Sequence, residues 1–377
     1  MIEGPRAARK DELEAVIALS NAIFRSRREG DMGREFPTLF CEENRENLRI
    51  FLDNGKPVSL IGFTVRDIFI MGASIRVCNV GSVCTDPNYR GQGLATRLLE
   101  DTILKSLRDG VEVMLISGGR GLYRRAGCIN AGIYHVYPIP KDARLPDLPV
   151  EVKRWEREDT PDLVRIHQSE PVRYVRDIDE FLTLLEARVV VDHPSDTWLV
   201  GVDGEMVAYI CAQKPREEKD GVRVLNVEEM AGSRTAVLAA LTKLFDLYNV
   251  DRINLNTTAA DGEMRSLGKL IGVPYVPRGF HGTLRIINLK GFFAAIEPYV
   301  SERLDEDELW GLEIEFEPDL IFRYEDEEFR LETIQDITAF VFGSLEHERP
   351  TPKGPKLSRI LDKLFPMPLV DYGLNYI

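Results

Sequence analysis

The sequence predicts an α+β chain: tandem αβ domains, each a mixed central sheet with helices on both faces, followed by a third, smaller α+β domain. Three observations carry this. A strand–turn–strand pattern over residues 58–85 runs through a glycine-bearing loop straight into a helical pattern over 94–108. A similar order of hairpin, strand, helix and strand returns between residues 150 and 255. Beyond residue 282, short strands with acidic turns precede two further helices.

Taken in order, Leu13, Val16, Ile17, Ala18 and Leu19 give helical spacing from Asp11 to about Arg25. Val58–Ile70 and Ile75–Thr85 read as strands joined at Met71-Gly72-Ala73. Asp86-Pro87-Asn88 stops the second strand, and the helix opens at Leu94. Glu112–Ile116 is a short buried strand. Gly118-Gly119-Arg120-Gly121 then opens a short helix ending near Gly127, and Gly132–Tyr137 is the next strand. The four prolines between Pro138 and Pro149 read as a linker. Past them, Val150–Trp155 is strand-like, Thr160 caps a helix, Trp198–Gln213 is a hairpin around Asp203-Gly204, and Arg223–Glu228, Ala236–Leu247 and Arg252–Leu255 are strand, helix and strand. In the last part, Glu313–Phe316, Leu320–Arg323 and Phe329–Leu331 are strands, with helices at Ile334–Phe342 and Ser358–Leu364. The expected domains are residues 1–140, 148–281 and 282–377.

A hydrophobic fraction of 44% with 29% charged residues is that of a soluble globular protein. The net charge of −14 is uneven: residues 1–147 carry +2, 148–280 carry −6 and 281–377 carry −10. An acidic body argues against nucleic acid or an anionic membrane surface as partner. The five cysteines form no CxxC pair, and no apolar run reaches the length of a membrane span, so a reducing cytoplasm is the expected location. The five histidines have no metal spacing, and no metal site is expected.

The stretch most informative about chemistry is Asn79-Val80-Gly81-Ser82-Val83-Cys84-Thr85-Asp86-Pro87-Asn88-Tyr89-Arg90-Gly91-Gln92-Gly93-Leu94-Ala95-Thr96. Successive amides between a strand and a helix N-terminus can converge on an anion; Gly93 lets the backbone approach closely, and Ala95 keeps the first helical turn small. The Lys-Ser/Thr of a P-loop and the glycine pattern of a dinucleotide fold are both absent. Arg90-Gly91-Gln92-Gly93-Leu94-Ala95, after Val83-Cys84-Thr85, resembles the acyl-CoA signature of the GCN5-related N-acetyltransferases. The resemblance implies that amides from Gly91 to Ala95, with Arg90, Gln92, Leu94 and Thr96 around them, hold the pyrophosphate of acetyl-CoA. It implies that the backbone of Ser82, Val83 and Cys84 pairs with the pantetheine arm, and that the amide of Val83 or Thr85 polarises the thioester carbonyl. Gly118 and Gly119 then lie where that family splays its two central strands.

Gly121-Leu122-Tyr123-Arg124-Arg125-Ala126-Gly127 matches the same family's second signature, which makes Tyr123 the candidate general acid for the leaving thiolate. A core tyrosine with its hydroxyl at the surface is the plainer alternative. Over its whole length the chain resembles the enhanced intracellular survival (Eis-like) acetyltransferases, in which a degenerate second copy and a sterol-carrier-like domain follow the active one. In the second copy, Glu229-Met230-Ala231-Gly232-Ser233-Arg234-Thr235-Ala236 lacks the Arg-x-x-Gly-x-Ala pattern, so no cofactor is expected there. The tail from Phe365 to Ile377 is apolar and aromatic, and is expected to be buried. The resemblance implies that the terminal carboxylate of Ile377 enters the first domain's active site. With an ordinary pKa of about 3.5 it is a weak base, so positioning the amine is as good a role as accepting its proton.

The loop from Arg25 to Phe36 borders the acceptor site in this fold. Glu29, Asp31 and Glu35 are acids for a polycationic amine, and Phe36 is a ring to stack on it. A solvated mixed-charge loop explains the same residues. Aminoglycosides, polyamines and protein lysines all stay open as acceptors. Two other functions stay open as well: a CoA-responsive carrier or sensor binding an apolar ligand through residues 282–377, and a transferase of longer acyl groups. The Eis-like group forms homo-oligomers, but no segment of this chain marks an interface.

Overall fold

The computed structural model describes residues 2–317 and 319–377. These group into two units: residues 2–132 with 279–369 and Ile377, and residues 133–278 with 370–376.

The first unit is built on one sheet. Its strands β1 (Ile2–Ala7), β2 (Leu48–Asp53), β3 (Lys56–Ile70), β4 (Ala73–Thr85) and β5 (Val113–Ile116) lie side by side in chain order, and the strand Thr283–Ile286 follows β5. β1 through β4 run antiparallel, β4 and β5 pair parallel, and Thr283–Ile286 pairs antiparallel to β5. The β3–β4 hairpin turns at Met71-Gly72, both with positive φ, as the alternation predicts.

Neither β1 nor β2 is legible in the sequence pattern. β2 is buried at Leu48, Arg49, Ile50, Phe51 and Leu52, so its residues do not alternate and the period-two signal is missing. Four helices complete this part of the unit: α1 (Leu13–Phe24), α2 (Met32–Glu35), α3 (Leu94–Arg108) and α4 (Gly121–Arg125). α3 begins and ends where its pattern predicts. It buries Leu94, Leu98, Thr102 and Ser106, a stripe at i, i+4 spacing, with Leu99 beside it. Leu98 and Leu99 pack in one core with Phe51, Ile61, Phe63, Val80, Met114 and Tyr123.

The remainder of the first unit holds a three-stranded antiparallel sheet of Glu313–Glu315, Leu320–Tyr324 and Glu327–Leu331, with the helices Ile334–Phe342 and Pro355–Leu364. Phe293, Phe322, Phe340 and Phe365 close on one another there.

The second unit has its own sheet. In spatial order it runs Val276–Gly279, Ile133–Pro140, Arg252–Thr258, Arg223–Gly232, Glu205–Gln213, His193–Val202 and Glu151–Arg154. The strand Ile133–Pro140 continues through Pro138, opposite Asn254, where the prolines alone suggested a linker. Helix Arg234–Tyr248 buries Ala236 through Leu241, Leu244 and Phe245 against this sheet. The order of hairpin, strand, helix, parallel strand and short helix repeats that of β2 through α4. Tail residues Val370, Tyr372 and Leu374 are buried, as their composition predicts. Among the described residues no helix is long and apolar enough to cross a membrane.

Candidate active site

The site grows from the place where β4 and β5 part. Their parallel register runs from Val77–Val113 to Val80–Ile116, and the Ser117 amide donates the last bond, to Val80 O at 3.1 Å. β5 stops there, while β4 continues five residues along β3. Ser82, at φ +47°, marks a bulge that coincides with the register shift against β3, and its hydroxyl meets that of Ser20 at 2.6 Å.

Beyond the bulge, strand alternation assigns each backbone group. The Asp86 amide donates to Val58 O (2.9 Å), so Leu60–Cys84 is the next hydrogen-bonded pair. The N–H and C=O of Cys84 therefore face β3, and the Cys84 carbonyl also accepts from Ser59 Oγ at 3.3 Å. Val83 and Thr85 turn their backbone groups the other way, into the parting of the strands. Arginines sit on both carbonyls, Arg120 Nη1 on Val83 O at 3.4 Å and Arg90 Nε on Thr85 O at 3.3 Å. An extended ligand chain lying in the parting finds Val83 and Thr85 as partners, not Cys84.

After Thr85, Asp86 accepts from the Asn88 amide and starts a single 3-10 turn over Pro87–Tyr89. Arg90, Gly91, Gln92 and Gly93 are exposed, and Gly91 and Gly93 have φ of +77° and +74°. Among the described residues, leaving out each glycine's chain neighbours, no atom lies within 4 Å of a Cβ built on either glycine, so the loop is open and its shape is what requires glycine. Gly93 caps α3, and Arg97 is the first amide to bond back, to Gly93 O at 3.1 Å. The amides of Leu94, Ala95 and Thr96 have no intrahelical acceptor and point out of the helix end. Leu94 is buried and pins this turn to the core.

On the β5 side, Gly118, Gly119 and Arg120 lead into α4. Tyr123 is buried in the core shared by α3, β3 and β4, and its ring lies 3.3 Å from a Cβ built on Gly118. Ile377 reaches the same neighbourhood. A Cβ on Gly81 would lie 2.2 Å from the Ile377 carbonyl oxygen and 2.3 Å from its carbon, a clash that only glycine avoids. Ser117 Oγ donates to that oxygen at 2.7 Å. The chain end is thus seated on β4 at the bulge, one residue before Ser82.

The loop from Arg25 to Phe36 is more structured than a solvated one. Asp31 caps α2 by accepting from the Arg34 amide (3.0 Å), and it also accepts from Asn21 Nδ2 (2.8 Å). Glu35 is taken by Arg25, with Nε at 2.8 Å, and by Arg28 at 3.4 Å. Phe36 is buried and Glu29 is exposed. Burial pushes the Cys84 thiol up to about 12, against the opposing charges of Arg120 and Arg90, and raises Cys78 and Cys128 likewise. These thiols are protonated at neutral pH and make poor nucleophiles.

Gly81, Ser117 and Arg120 belong to this arrangement, yet no sequence signal assigns them a role there. Each acts through a partner 37 or more residues away in the chain.

Residues 5–130 match the family model described as an acetyltransferase (GNAT) domain. Three solved structures are similar over nearly the whole chain, each with a TM-score of 0.64. Eis1 from Mycobacterium abscessus is 16% identical and covers 100% of both chains. A GCN5-related N-acetyltransferase from Anabaena variabilis is 16% identical, covering 97% of each chain. One from Kribbella flavida is 13% identical, covering 100% of this chain and 98% of its own. A search of curated proteins finds no match. Residues 5–130 thus carry a GNAT acetyltransferase domain, set in a chain whose fold is shared along its length with these three structures.

Proposed function

We propose that the chain is an N-acetyltransferase that passes the acetyl group of acetyl-CoA to a primary amine. The observation that carries this is the parting of β4 and β5. It exposes the backbone of Val83 and Thr85 on one side, is followed along the chain by the glycine loop and first turn of α3 at Arg90–Thr96, and has Gly118, Gly119 and Tyr123 on the other.

In this reading, the amides of Gly91 to Thr96 hold the pyrophosphate, helped by Arg90 and Gln92. Val83 and Thr85 pair with the pantetheine arm, and one of their amides polarises the thioester carbonyl. Acetyl-CoA supplies an activated acetyl carbon. The transfer is direct, because Cys84, the thiol in this groove, is held protonated by its burial. Tyr123 is the general acid that protonates the departing sulfur.

The carboxylate of Ile377, fixed by Gly81 and Ser117, positions the acceptor ammonium and receives its proton through water. A polycationic small molecule, an aminoglycoside or a polyamine, or a protein lysine fits this role. Exposed Glu29 is the loop acid we assign to the acceptor's other cationic groups, while Asp31 and Phe36 shape the loop.

Residues 148–281 form, in this reading, a degenerate second copy without cofactor. At its loop position Ser233 caps the helix, and Arg234 is held by Glu170 (2.6 Å) and Asp261 (2.8 Å). Residues 282–377 are read as the sterol-carrier-like domain. A carrier function would need an apolar cavity there; instead Phe293, Phe322, Phe340 and Phe365 meet with ring centroids 5.0–6.4 Å apart.

The test is thiol release from acetyl-CoA with aminoglycosides, polyamines and lysine peptides. Release with one amine class, reduced about 10²-fold or more in Tyr123→Phe at unchanged acetyl-CoA affinity, is the expected result. Equal turnover by Tyr123→Phe would remove the phenol from the mechanism.

A further inference from the structure

Arg120 stands at the start of α4, where its carbonyl accepts the Tyr123 amide at 3.0 Å. Its backbone therefore belongs to the turn that carries the candidate acid. Its side chain leaves that turn and crosses the parting, so that Nη1 reaches the Val83 carbonyl at 3.4 Å. Among the described residues, no carboxylate pairs with Arg120, whereas Arg124 on the same helix pairs with Glu346 at 3.5 Å. A guanidinium thus lies on the strand edge where the thioester is expected, against the Val83 carbonyl. Its field reaches the neighbouring sulfur: Arg120 is the foremost charge opposing the burial that raises the Cys84 thiol.

We infer that Arg120 is a further catalytic residue, whose guanidinium stabilises the CoA thiolate as it leaves. The inference rests on the transferase reading above. The amine nitrogen forms its bond to the acetyl carbonyl carbon, the C–S bond breaks, and sulfur keeps the electron pair. That negative charge develops beside Arg120 until the Tyr123 hydroxyl gives its proton to sulfur. The proton shed by the acylated nitrogen returns through water to the phenolate, so the enzyme ends as it began. A phenol with an ordinary pKa of about 10 is a weak acid for a thiolate of ordinary pKa about 8.5. A cation that holds the thiolate before protonation removes the need for the two steps to coincide.

The test reads the sulfur directly and needs no acceptor. CoA bound to the protein is titrated by the ultraviolet absorbance of its thiolate, in the unaltered chain, Arg120→Gln and Arg120→Lys. The expected result is a bound thiol that titrates below free CoA, moves up by on the order of one pH unit in Arg120→Gln, and stays low in Arg120→Lys. With the amine found above, Arg120→Gln should lower kcat about tenfold and leave the acetyl-CoA KM nearly unchanged. An identical thiol pKa in the unaltered chain and Arg120→Gln would overturn the inference while leaving the transferase reading intact. A loss confined to the acetyl-CoA KM would also overturn it, making Arg120 a cofactor anchor. Failure of the unaltered chain to bind CoA would bring down both.

Discussion

Gly81 shows how one missing side chain shapes the site. Its backbone is ordinary strand, so glycine is required by contact and not by conformation: the Ile377 carbonyl group occupies the volume a methyl group would need. Gly81→Ala must push the terminus off β4, and misplacement by about 1 Å is enough to cost about 10²-fold in an oriented reaction. We expect Gly81→Ala and deletion of Ile377 to lower kcat/KM for the amine to a similar degree, with the double variant no worse than either. Additive losses in steady-state kinetics would mean that the two residues act independently. Ser117, whose hydroxyl donates to the same Ile377 oxygen, is the second residue of this seat.

Among the elements, the loop and first turn of α3 separate stability from binding most cleanly. Gly93 sits at φ +74° with open space around it, so Gly93→Ala pays only for a strained backbone, about 1 kcal/mol. The same change closes the approach to the amides of Leu94, Ala95 and Thr96. The expected outcome is a Tm lower by a few degrees, a clearly raised acetyl-CoA KM and a nearly constant kcat. A KM equal to that of the unaltered chain would show that the loop holds no phosphate. This loop and helix were also the part most legible in the residues. Arg90 to Ala95 is a local pattern, and the apolar stripe of α3 states its own ends. β2 was not legible, since a short strand buried along its length carries no alternation; β1, IEGPRA, has no buried residue and offers no apolar period to read. Thr283–Ile286 could be placed beside β5 only by the fold, because its partner lies about 170 residues earlier.

For the whole molecule, the second unit carries a buried polar network that ties down the tail. Arg176 donates to Glu229 at 2.6 and 2.8 Å, Glu229 accepts from the Leu374 amide at 2.9 Å, and Arg176 Nε donates to Asn375 at 2.6 Å. Burial alone would raise the Glu229 carboxyl; Arg176 outweighs it and holds it at about 2. His167, packed among the same groups, donates from Nε2 to Tyr174 O at 2.8 Å. Burial, reinforced by Arg176, lowers its pKa to about 4. Both groups are depressed in the folded state, so both favour folding at neutral pH and lose that contribution as pH falls. For His167 the loss begins below the ordinary histidine value of 6.5 and is complete by about 4; for Glu229 it runs from 4.5 to about 2. Denaturant unfolding should show stability falling by up to about 3 kcal/mol between pH 7 and pH 4 from His167 alone. His167→Gln should flatten that slope, and an unchanged slope would show that His167 is not the group titrating.

Residues close in the chain were enough to specify the β3–β4 hairpin, the glycine loop before α3, α3 itself and the expectation of a buried tail, because period, turn chemistry and composition act over a few neighbours. Tyr123 was singled out by the resemblance of Gly121–Gly127 to a family signature. The seat of Ile377 on Gly81 and Ser117, the turning of Val83 and Thr85 away from β3, the reach of Arg120 and the clamp on Leu374 and Asn375 depend on segments that meet only once the sheets have formed. Such contacts leave no periodic trace, since each partner is chosen by the three-dimensional packing of distant strands and not by the spacing of its neighbours.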